Sequence, residues 1–122
     1  MIVLLTAAGQ TASLTFTPKP GFRWILVYCS IELSAGATVG SRSLNISRIN
    51  TAELFANIPT QTGVSANYYG DGGITNTSAA ANHVQFSDYP VITVWDGVSL
   101  YATLLSGDSY TYRLMFDEVP DT

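Results

Sequence analysis

The sequence predicts an all-β fold, an antiparallel β-sandwich or jelly roll of eight to ten short strands. Three observations predict it. Apolar residues alternate with polar ones along most of the chain, the 3.6-residue period of a helix is almost absent, and Gly, Pro and Asn punctuate the pattern at regular intervals. With 122 residues the chain is the length of one domain, residues 1–122, able to bury roughly two-thirds of its unfolded surface.

The elements follow in order. Ile2–Thr6 and Leu14–Thr17 are short strands separated by Gly9. A Pro-Lys-Pro-Gly turn (18–21) opens the longest strand, Phe22–Leu33, and the AGATVG stretch (35–40) turns the chain around. Leu44 and Ile46 then alternate with Ser43, Asn45 and Ser47, the signature of a half-buried strand. Glu53–Ile58 follows and Pro59 is expected to stop it, although residues 51–56 are also compatible with a helical turn. Val64–Tyr69 and His83–Phe86 are weaker strands, and Pro90 opens another in VITVW. Asp96-Gly97 is a tight turn of the hairpin kind. After it Val98, Leu100, Ala102 and Leu104 share one face; SGDS (106–109) turns the chain, and Tyr110, Tyr112, Leu114 and Phe116 face inward, with Thr111, Arg113 and Asp117 outward. The stretch 68–82, YYGDGGITNTSAAAN, reads as a long loop, either a surface excursion or a segment that settles against a neighbouring subunit.

The long strand poses a packing problem. With strict alternation Phe22, Trp24, Leu26 and Tyr28 share one face, while Ile25, Val27, Cys29, Ile31 and Leu33 share the other. A two-layer sandwich covers only one face of each sheet. Leaving a Trp24-sized ring wet, on the order of 200 Å2, would cost several kcal/mol at about 25 cal/mol/Å2. The expectation is that a loop, a terminus or a second molecule covers the other face, with a neighbouring subunit favoured.

Composition points the same way. Charged residues make up 11% of the chain and hydrophobic residues 47%, where soluble chains carry about 25% charged residues. The net charge of −4, with one lysine and four arginines, supplies no basic stripe for nucleic acid and is repelled by anionic membranes. Neither partner is expected. The one cysteine, Cys29, excludes an intrachain disulfide and reads as a small buried hydrophobe. The opening MIVLLTAAGQTA lacks the basic start and the long apolar run of a signal peptide, and no segment is long and apolar enough to be a transmembrane helix.

Catalytic chemistry is hard to assemble. His83 is the single histidine, so a multi-histidine metal centre is excluded, and its neighbours Ser87 and Asp88 lack the context of a nucleophile. Gly70-Asp71-Gly72-Gly73 has neither the lysine of a phosphate loop nor enough carboxylates for calcium. The acids Glu32, Glu53, Asp96, Asp117 and Glu118 are scattered over different elements. Asn45-Ile-Ser47 and Asn76-Thr-Ser78 match glycosylation sequons, which without a secretion signal carry little. No enzyme activity, catalytic residue, metal site or cofactor is expected.

The segment T-F-T-P-x-P-G-x-R-W (15–24) and the ending GDSYTYRLMFDEVPD (107–121) resemble small all-β structural proteins of tailed bacteriophages, among them capsid decoration (cement) proteins. The resemblance implies a non-enzymatic virion protein, made in the host cytoplasm. It would form a homo-oligomer, often a trimer, and bind the major capsid protein or another virion protein to stabilise the assembled shell. On that expectation Ile2, Val3, Leu4 and Leu5 form a contact strip, Trp24 and Tyr28 are intersubunit anchors, and Tyr68 and Tyr69 are loop contacts. The alternative is a carbohydrate-binding jelly-roll module of a phage tail or fibre, using Trp95, Tyr101 and the 68–82 loop as a stacking platform.

Overall fold

A computed structural model describes residues 1–49, 54–71 and 93–121. The described residues form nine strands: β1 (Ile2–Gln10), β2 (Leu14–Phe16), β3 (Phe22–Ser34), β4 (Arg42–Arg48), β5 (Leu54–Gln61), β6 (Asn67–Asp71), β7 (Thr93–Val94), β8 (Val98–Thr103) and β9 (Ser109–Pro120). They build two antiparallel sheets packed face to face. The first has the order β1-β9-β3-β6, with β7 also paired to β3; the second has the order β2-β8-β4-β5. With the two-residue β7 set aside, consecutive strands cross between two four-stranded layers except at the β4–β5 hairpin, which is the strand order of a jelly roll.

Alternation explains most of the core. Leu44, Ile46, Val98 and Leu100 from the second sheet meet Tyr110, Leu114 and Phe116 from the first, each at most 1% exposed. The Phe16 and Tyr112 rings meet across the two layers with centroids 5.6 Å apart. Tyr110 donates its hydroxyl to the Ala12 carbonyl, and burial, with the neighbouring Tyr112, pushes its phenol pKa up.

The packing problem of β3 is solved inside the chain. Strand β3 pairs Leu26 with Phe116 and Tyr28 with Met115, so Val27 is one extra residue, a β-bulge. The bulge shifts the phase of alternation. Trp24 and Leu26 point inward before it, and Cys29, Ile31 and Leu33 point inward after it. Trp24 and Leu26, which strict alternation sets on the face opposite Cys29, Ile31 and Leu33, therefore line the same core as those three, while Ile25, Val27 and Tyr28 stay outside it. Trp24 is 4% exposed, stacks on Phe116 at 4.9 Å and donates its indole N–H to Glu118 Oε2 at 2.9 Å. No neighbouring molecule is needed to shelter it, and that expectation is corrected.

Four local expectations also change. Strand β5 runs through Pro59, because β5 is an edge and a register shift lies between the Leu44↔Ile58 and Arg42↔Gln61 pairs; a missing N–H breaks no ladder there. Residues 54–56 are strand, not a helical turn. The weaker strand Val64–Tyr69 starts at Asn67 and runs on as β6 through Gly70 and Asp71, which the sequence places in the long loop; the rest of the 68–82 stretch, His83–Phe86 and Pro90 lie outside the described residues. Asp96-Gly97 joins β7 in the first sheet to β8 in the second, so this turn crosses between layers and closes no hairpin.

Candidate functional site

Register places the outer face of the first sheet residue by residue. Across β1, β9 and β3 one row reads Ile2–Asp117–Ile25, the next Leu4–Met115–Tyr28, and the next Thr6–Arg113–Ser30. Val27 bulges out between the first two rows. Ile2, Leu4 and Val27 are 52%, 47% and 42% exposed, and Ile25, Tyr28 and Met115 are half-buried. Leu4, Met115, Tyr28 and Val27 make an apolar patch over three adjacent strands, and Ile2 and Ile25 extend it on either side of the Asp117 carboxylate, which accepts from the Met1 amine. Exposed apolar residues scattered singly are ordinary; a contiguous group rimmed by polar residues is the mark of an interaction site.

The rim is polar and mixed in charge. Beside the patch lies a shallow depression of about 180 Å3, lined on the outer face by Tyr28, Ser30, Glu32, Tyr69, Thr111 and Arg113. Register brings this lining together: Ser30 pairs with Arg113, and Glu32 with both Thr111 and Tyr69. The single acid and single base leave it close to neutral.

The predicted contact residues divide according to strand phase. Ile2 and Leu4 lie in the outer patch with Tyr28, and Tyr69 lies on the depression beside it. Val3 and Leu5 turn the other way and pack on the core from β1. Trp24 and Tyr68 are interior, 4% and 5% exposed, so the surface contact expected of them is supplied by the protein's own core. Ile25, Val27 and Met115 are not among the contact residues expected from sequence. The outward face of Met115 follows from the alternation of β9, between the inward Leu114 and Phe116, whereas the faces of Ile25 and Val27 relative to Tyr28 follow only once the extra residue in β3 is known.

Trp95 and Tyr101 stand on other surfaces. Trp95, in the turn after β7, donates its indole N–H to Asp121 Oδ1 at 3.0 Å, and the Arg48 guanidinium lies 5.9 Å from its ring centre. Tyr101 lies mid-strand on the outer face of the second sheet, opposite Asn45, 59% exposed. Its neighbouring rows are Ser47–Ser99 and Ser43–Thr103, a neutral face of hydroxyl and amide groups.

A second polar centre lies at one end of the sandwich. Arg42 is fully buried and donates Nε to Asp108 Oδ2 at 2.8 Å. Its other nitrogens donate to the carbonyls of Gly63 and Thr38. Asp108 also accepts from the Gly36 N–H at 2.7 Å and the Leu105 N–H at 2.9 Å. The pair thereby ties together the β3–β4, β5–β6 and β8–β9 connections. Burial pushes the Asp108 carboxyl up, but the Arg42 hydrogen bond, the two backbone donors and the Arg42 charge outweigh it and hold its pKa below the ordinary value. Every donor and acceptor in this cluster is turned inward, so it organises loops. Among the described residues no group of three or more His, Cys, Asp or Glu side chains is placed to hold a metal ion.

Compared with protein-family models, with curated proteins and with solved structures, the chain matches none.

Proposed function

We propose that this protein is a non-enzymatic structural component that works by docking, with the outer face of its first sheet as the contact surface. The observation that carries the reading is the apolar patch of Ile2, Leu4, Ile25, Val27, Tyr28 and Met115 on a chain otherwise poor in charge. Jelly rolls are frequent among viral capsid and lectin domains, and the sequence resemblance to phage decoration proteins selects the first. The role is then that of a small virion protein that associates with itself and with the major capsid protein or another virion protein. It stabilises the shell passively: a molecule that binds only the assembled state shifts the equilibrium toward it by mass action.

The test is incorporation. The chain is expected among the proteins of purified virions by mass spectrometry, and Val27→Asp is expected to fold yet to be lost from the particles. Absence of the wild-type chain from virions overturns the virion assignment. Undiminished incorporation of Val27→Asp overturns the role of the face.

A second reading is favoured by one observation, the exposed Tyr101 ring on the hydroxyl- and amide-rich face of the second sheet. A flat ring with polar groups around it suits stacking against a sugar. Binding on a glycan array that disappears in Tyr101→Ala would establish it; no binding by the wild type removes it.

A further inference from the structure

We infer that strand β1 pairs with β1 of a second copy of this chain, antiparallel and about a two-fold axis through Leu4, so that two first sheets join into one. This deepens the docking reading by naming one partner and the register of the contact.

The backbone sets the edge chemistry. Strand β1 is the outermost strand of the first sheet, and among the described residues only β9 pairs with it. The Met1 amine donates to the Glu118 carbonyl and the Glu118 N–H donates to the Met1 carbonyl, so these two residues form a mutually hydrogen-bonded pair. Such pairs alternate along an antiparallel ladder. Val3, Leu5 and Ala7 therefore aim their N–H and C=O groups at β9, while Ile2, Leu4 and Thr6 aim theirs at the open edge.

The other edges carry features that discourage pairing. Strand β2 has three residues, β5 contains Pro59, and β6 is short and ends in the acidic Asp71. Strand β1 runs for nine residues without a charge or a proline. Its register with β9 stays regular from Ile2 to Ala7 before the irregularity that contains Gly9. Natural sheets blunt such edges with lysine, proline, bulges or brevity, and an unblunted one is a template for another strand.

The second copy is the occupant that complements it. With Leu4 on the axis, Leu4 meets Leu4 of the other copy and Ile2 meets Thr6, so every open N–H and C=O of these three residues finds a partner, about six hydrogen bonds. The strand is uncharged, so antiparallel self-pairing sets no like charges opposite each other. On the inner face Val3 lies opposite Leu5, covering side chains that the single copy leaves half-buried. On the outer face the Leu4–Met115–Tyr28 rows of the two copies run on into one apolar strip. A contact of this kind is isologous and closes at two copies.

Sedimentation of the purified chain from micromolar to millimolar concentration tests it. The wild type is expected to dimerise. Leu4→Pro removes only an N–H that faces the open edge, so it is expected to keep its circular dichroism and lose the dimer. Val27→Lys, on the face but off the edge, is expected to remain dimeric. A wild-type monomer, a trimer, or a folded Leu4→Pro dimer overturns the pairing. None of these touches the incorporation test of the face, so the two proposals fail separately.

Discussion

Arg42 and Asp108 show how much one pair of residues decides. Two charges removed from water are tolerated because each is surrounded by partners: Arg42 by a carboxylate and two carbonyls, Asp108 by a guanidinium and two backbone N–H groups. Removing one member strands the other. Arg42→Met is expected to lower stability by roughly 3–5 kcal/mol in urea denaturation, whereas replacing both members with apolar residues of similar volume costs much less. The pH dependence follows from the lowered pKa of Asp108. A carboxyl whose folded pKa lies below its unfolded value of about 3.9 contributes stability above that value, and the contribution is lost as pH falls through the folded pKa. The melting-temperature difference between wild type and Asp108→Asn is therefore expected to be constant near neutrality and to shrink below about pH 4.

At the scale of the element, one extra residue in β3 changes the reading of the whole strand. Val27 turns two apparent apolar faces into one inner face and leaves its own side chain outside. Deleting Val27 would restore strict alternation and force either Trp24 and Leu26 or Cys29, Ile31 and Leu33 out of the core. The loss is expected to be at least about 3–5 kcal/mol, the cost of emptying one large core site, and denaturation should show a sharply reduced midpoint or no folded state. A folded, equally stable deletion variant would mean that the strand does not depend on the bulge. Strand β1 illustrates the complementary case. Its inner residues Val3, Leu5 and Ala7 hold it to the core, and its outer residues Ile2 and Leu4 give the face its apolar character.

For the whole molecule the sparse charge matters most. Ion pairs among the described residues include the buried Arg42–Asp108 and contacts near the two chain ends: Met1–Asp117, Lys19–Glu118 and Arg23–Asp121. None of them reaches the Leu4–Met115–Tyr28 row. Self-association through β1 and its outer face is thus expected to be insensitive to salt, or slightly strengthened by it, between about 0.01 and 1 M, where an electrostatic contact would weaken as the screening length contracts. Sedimentation at the two salt concentrations checks this.

The sequence by itself determined the fold class and most of the core. The alternation of Leu44 with Ile46, of Val98 with Leu100 and of Tyr110 through Phe116 encodes which side of each strand is dry, because a period of two is a local property. It also placed Ile2, Leu4 and Tyr28 among candidate contact residues. Only the tertiary structure decided the rest. The bulge at Val27 is invisible to periodicity, since one inserted residue changes the phase of a strand without changing its composition. Pro59 reads as a strand end until β5 is known to be an edge. The turn at Asp96-Gly97 has the residues of a hairpin, yet the layer each flanking strand joins is set by partners distant in the chain. Arg42 and Asp108 lie 66 residues apart and meet only when three connections close over one end of the core. Local pattern fixes what a strand buries; which strands become neighbours, and so which face stays open to another molecule, depends on contacts between segments far apart in sequence.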